Sequence, residues 1–127
     1  MFASRLIRSA SIPSIKESTL LAGLAVHPNA RAELISLYHR VLHNTARLPD
    51  ASEYKRSVNA ITNHRLAIVE ANVAVKDIEA KIDNGQIEEL IKQAEDEISL
   101  VGKVAEWEAW KPLEVKAPEG QWKSALV

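Results

Sequence analysis

Residues 85–114 read GQIEELIKQAEDEISLVGKVAEWEAWKPLE, and the spacing of the apolar side chains in this stretch decides the fold class. Ile87, Leu90, Ile91, Ala94, Ile98, Val101, Val104 and Ala105 recur three and four residues apart, which lines them along one side of a helix. Such a stripe has to be covered by another part of the chain. Glu88 and Glu89 fall in the positively polarised first turn, and Lys111-Pro112 ends the run because proline cannot continue the backbone ladder. The spacing therefore predicts a helix over 86–110, with Glu88, Glu89, Glu95, Asp96 and Glu97 read as its solvated, charged side.

Two further stripes supply the cover. Over 30–47 the apolar positions are Leu34, Leu37, Tyr38, Val41, Leu42, Thr45 and Leu48, and Pro49 stops the helix. Asp50 then offers an N-cap oxygen and Glu53, three residues on, returns the bond, so Asp50-Ala51-Ser52-Glu53 reads as a capping box. A second helix over 51–71 turns Tyr54, Val58, Ile61, Leu66 and Val69 inward. The five-residue step from Ile61 to Leu66 reads as a register change at Thr62-Asn63 along a continuous rod. Val75, Ile78 and Ile82 mark a short amphipathic helix over 75–83, and Asp83-Asn84-Gly85 is a turn, since Asn and Gly accept left-handed backbone angles at low cost.

Outside these helices, 19–26 (TLLAGLAV) is a short helix or an extended arm, interrupted by His27-Pro28-Asn29. Beyond the third long helix the sequence PLEVKAPEGQWKSALV follows neither period, and Pro118 and Gly120 argue for an extended tail. The expected architecture is all-α: a three-helix antiparallel bundle with a short extra helix and an extended C-terminal tail. Leu34, Val41, Ile61, Leu66, Ile91, Ala94 and Ile98 are its expected core. The chain divides into an N-terminal arm or mitochondrial targeting segment (1–18), the bundle (19–112) and a docking tail (113–127).

Composition narrows the function. A chain of 127 residues holds one domain, and four glycines and five prolines suit long helices better than turn-rich sheets. With no cysteine, the chain supplies no disulfide, no thiolate nucleophile and no cysteine ligand to an iron–sulfur cluster. Arg5, Arg8 and Lys16 fall in the first sixteen residues with no acid among them, and Phe2, Leu6 and Ile7 can share a helical face, the composition of a mitochondrial import signal. The acidic remainder does not attract nucleic acid. No run approaches the length of a membrane span.

Catalytic chemistry is not visible. His39 and His43 are four apart, as two ligands of one metal would be, but a site needs at least a third, so they read as surface or boundary histidines. No phosphate-cradling glycine loop or activated nucleophile is present. No catalytic, cofactor-binding or metal-binding residues and no small-molecule substrate are therefore assigned. Leu37-Tyr38-His39-Arg40 resembles the Leu-Tyr-Arg signature of small mitochondrial three-helix proteins that bind acyl carrier protein, with His at the Arg position. That family is the alternative reading.

All three tryptophans lie in the last twenty-one residues, more than the end of a thin bundle needs for its own packing. Tryptophan is enriched at the centres of protein interfaces. Trp107, Trp110 and Trp122, helped by Lys111 and Lys123, are the candidate interface residues, with Arg65 as a further candidate.

The segments 19–26, Tyr54-Lys55, 61–70 (ITNHRLAIVE), 85–100, 106–113 (EWEAWKPL) and Gln121-Trp122-Lys123 together resemble the alpha-subcomplex subunit 5 family, accessory subunits of mitochondrial NADH:ubiquinone oxidoreductase, respiratory complex I. The resemblance implies a helical bundle bound to the other subunits of the matrix-facing peripheral arm, peripheral to the mitochondrial inner membrane and carrying no flavin, cluster or quinone. The role it implies is assembly and stabilisation rather than turnover.

Overall fold

In the computed structural model, which describes residues 16–123, the stripes become four helices: α1 (Ala30–Thr45), α2 (Glu53–Ala71), α3 (Val75–Ile82) and α4 (Ile87–Trp107). There is no strand among the described residues. Most of the basic leader and the final four residues lie outside the described part of the chain.

α1 is the central helix, packed against both α2 and α4, while α2 and α4 meet through side chains such as Arg65 on Gln93 and Tyr54 on Glu97. Leu34, Leu37 and Tyr38 of α1, Leu66 and Val69 of α2, Ile78 of α3 and Ile87, Leu90, Ile91 and Ala94 of α4 form one buried cluster. A smaller cluster of Leu48, Val101 and Val104 closes the far end. α4 therefore runs alongside α1 in the same direction. α2 runs back between these ends: Thr45 donates to Asn59 Oδ1 at 2.6 Å, and Arg31 reaches the last carbonyls of α2, with Nε 3.1 Å from Val69 O and 2.8 Å from Asn72 O. No basic residue lies in the last turn of α2, so Arg31 of α1 satisfies carbonyls that the helix end leaves unpaired.

Several local expectations are corrected. Ser52, not Asp50, caps α2: the turn from Pro49 delays the helix start, and the Ser52 hydroxyl accepts from Lys55 N at 3.2 Å. Asp50 instead pairs with Lys55 Nζ at 2.7 Å. A glutamate-to-cap bond of the kind expected there occurs at α4, where Gln86 N donates to Glu89 Oε2 at 2.7 Å. Gly85 precedes it at φ +93°, and a Cβ there would collide with the Glu89 side chain that makes this bond. α2 is one continuous helix, but Thr62, not Ile61, takes the inward position, in step with Val58 and Leu66. Ile61 is 53% exposed. Ile98 is only partly buried, at the edge of the main cluster, whereas Leu34, Val41, Leu66, Ile91 and Ala94 are buried as expected.

Candidate docking surface

The two ends of α4 are built differently. At its start the backbone is tied to the N-terminal arm and to α3: Ile87 N donates to Glu79 Oε1 at 2.9 Å, and Gln86 Nε2 donates to Thr19 O at 2.6 Å. Lys16 Nζ lies 2.6 Å from Glu88 Oε2 and 3.0 Å from Glu79 Oε1. Glu88 is buried rather than on the solvated side, a further correction to the sequence reading. Burial pushes its carboxyl up, but hydrogen bonds from Lys16, its own backbone amide and the His27 amide outweigh that and hold it below the usual carboxylate range. For Lys16 burial acts downward, and the bonds to Glu88 and Glu79 outweigh it, leaving the amine above its ordinary value.

At its other end α4 stops at Trp107, short of the expected Trp110, because Glu108 takes a left-handed conformation at φ 48°. Its amide donates to Ala105 O at 3.3 Å and the Ala109 amide to Val104 O at 3.4 Å, so the last carbonyls are satisfied as the chain turns away. The turn separates the two neighbouring tryptophans. Trp110 folds back as a half-buried wall on Leu48, Val101 and Val104, beside Tyr54, whose phenol donates to Glu97 Oε1. Trp107 stays 65% exposed on the helix.

Beyond Pro112 the chain has only local turns, Gln121 N to Pro118 O at 3.3 Å and Lys123 N to Gly120 O at 3.0 Å. Leu113 and Val115 are exposed, and Trp122 is 89% exposed. Lys111 Nζ lies 2.5 Å from Glu108 Oε2, and Lys123 is exposed on the tail. Arg65 lies apart on α2, where its guanidinium donates to Gln93 Oε1 of α4 at 3.2 Å. The expected interface residues thus divide into an exposed end (Trp107, Lys111, Trp122 and Lys123), a core-packed Trp110, and Arg65 elsewhere.

The residues singled out for other chemistry take structural places. Leu37 and Tyr38 are buried in the main cluster, which accounts for the Leu-Tyr pair by packing. His39 Nε2 is 3.9 Å from Glu70, with both side chains exposed. Among the described residues no grouping of three or more His, Asp and Glu side chains is placed to hold a metal ion, and no helix is long and apolar enough to cross a membrane.

Residues 23–89 match the family described as the ETC complex I subunit conserved region. The chain is 39% identical to NADH dehydrogenase (ubiquinone) 1 alpha subcomplex subunit 5 of Bos taurus over 109 residues, which are 86% of this chain and 94% of that protein. It belongs to this family of complex I subunits. The similarity spans distant members. A probable mitochondrial alpha subcomplex subunit 5 of Arabidopsis thaliana is 38% identical over 78% of this chain and 59% of its own length. The Caenorhabditis elegans counterpart is 37% identical over 84% of this chain and 71% of its own. The family match ends at residue 89, so it includes the tied start of α4 but not the tryptophan-bearing end.

Proposed function

We propose that this chain is a non-catalytic accessory subunit of mitochondrial respiratory complex I. It stabilises the matrix-facing peripheral arm through protein contacts and rests peripherally at the inner membrane. Family membership supports the complex. The observation that carries the docking role is the exposed end: Trp107, Leu113, Val115 and Trp122 all remain open over one short stretch of chain, two of them tryptophans. Exposed tryptophans on one short segment suit an interface core, and Lys111 and Lys123 suit its charged rim. The tail, 113–127, docks on its partner with Trp122 as anchor, while Trp110 holds the tail's root against the bundle.

A subunit of this kind influences turnover by holding its neighbours in the competent arrangement, or by biasing a conformational equilibrium of the arm through different contacts in its states. Blue-native separation of mitochondrial membranes, followed by detection of this chain, tests the reading. Co-migration with intact complex I, and loss of that complex when the chain is removed, are the expected results. Recovery only in a small soluble assembly with acyl carrier protein would transfer the function to the alternative.

A further inference from the structure

The basic N-terminal stretch carries three cations, Arg5, Arg8 and Lys16, and Lys16 is the one that falls among the described residues. There it is built into the fold. Its amine bridges α3 and α4, 3.0 Å from Glu79 Oε1 and 2.6 Å from Glu88 Oε2. Glu79 Oε1 also accepts from Ile87 N, the first amide of α4, so one carboxylate joins the arm, α3 and the start of α4. Three residues on, the Thr19 carbonyl accepts from Gln86 Nε2, and the buried Thr19 hydroxyl donates to Leu24 O at 2.5 Å, which closes the turn of the arm over 19–24.

The Glu88 side chain is only 3% exposed, and Lys16 is the cation that compensates it. Two other basic side chains, His27 and Arg31, line the cavity of about 280 Å³ beside this pair. His27 meets Glu88 through its backbone amide, and the Arg31 guanidinium is committed to the carbonyls of Val69, Glu70 and Asn72. Loss of Lys16 would therefore leave a buried carboxylate without its ion-pair partner, one of the costlier defects a fold can carry.

We infer that the mature subunit keeps Lys16 and the arm that follows, 16–26, as a strap over the α3–α4 junction, so that proteolytic trimming of the import leader is confined to residues 1–15. The inference rests on the reading of this chain as an imported mitochondrial subunit. It divides the stretch 1–18, whose composition reads as a single arm or targeting segment, at Lys16. Ahead of that residue lies what import alone needs, and from it onward the chain belongs to the folded domain.

Top-down mass spectrometry of the chain isolated from mitochondria, out of complex I and out of any smaller assembly, reads the first residue directly. It should be Lys16 or a residue ahead of it. A first residue at Glu17 or beyond would overturn the inference. Recovery only outside complex I would count against the proposed function, while the first residue would still decide the fate of the strap. Two full-length variants test why the arm is kept. Lys16→Gln should speed amide hydrogen exchange at Ile87 about tenfold or more, the scale of one charged hydrogen bond lost at a partly buried site. Lys16→Arg, which keeps the charge, should retain most of the protection. Unchanged exchange at Ile87 in Lys16→Gln, or equal loss of protection in both variants, would overturn the inference even where Lys16 is retained.

Discussion

The start and the end of α4 are built from similar materials and put to opposite uses. At the start Ile87 and Leu90 are buried, Glu88 is matched by Lys16, and the first amide is taken up by Glu79. At the end, one left-handed residue turns the chain so that Trp110 closes the small cluster and Trp107 is left outside. The difference teaches that the open end is not a failure of packing. The same turn satisfies the last carbonyls and covers Val101 and Val104, so the helix terminus is complete without Trp107 or Trp122.

Substitutions measured on the isolated chain sharpen this contrast. The largest effect is expected at the closed side: Leu34→Ala removes a fully buried side chain and should lower unfolding free energy by about 2 to 5 kcal/mol in denaturant titrations. Glu88→Gln should cost about 1 to 3 kcal/mol at neutral pH, because it takes the nearer and more buried of two carboxylates from Lys16 and leaves only Glu79. Its pH dependence has a definite sign. The folded Glu88 carboxyl is held below its unfolded value, so its contribution is present above the ordinary carboxylate range and fades as pH falls through the folded value. Lys16 is raised, so its contribution is lost only at high pH, as pH climbs through its folded value. The gap between parent and Glu88→Gln should therefore narrow on acidification. Ser52→Ala should cost about 1 kcal/mol through loss of the α2 cap, while Asp50→Ala, at an exposed position, should cost less.

The helices were legible because their stripes are aliphatic and their ends are marked by proline, asparagine and glycine. Side-chain assignments failed where hydropathy and geometry part. Ile61 outranks Thr62 on hydropathy, yet only position 62 keeps step with Val58 and Leu66, so the smaller, partly polar residue goes inward and the isoleucine is left on a groove. Asp50 and Glu53 have capping-box spacing, but the turn from Pro49 puts the helix start at Ser52. Glu88 looked solvated because its partner Lys16 lies 72 residues away, beyond any local pattern. The tryptophan cluster was visible from composition. That Trp110 belongs to the bundle while Trp107 does not depends on the backbone turn at Glu108, where no glycine signals a left-handed residue.

The central claim is that the exposed end of α4 and its tail serve association and not folding. Its most direct test compares Trp107→Ala and Trp122→Ala in two measurements on the same variants, unfolding of the isolated chain and incorporation into complex I. Both should change isolated stability by less than about 0.5 kcal/mol, as expected for exposed positions. At least one should lose about 2 kcal/mol or more of association free energy, seen as a clear fall in the incorporated fraction. Unchanged incorporation of both variants, or unfolding of the isolated chain in step with lost incorporation, would contradict the account.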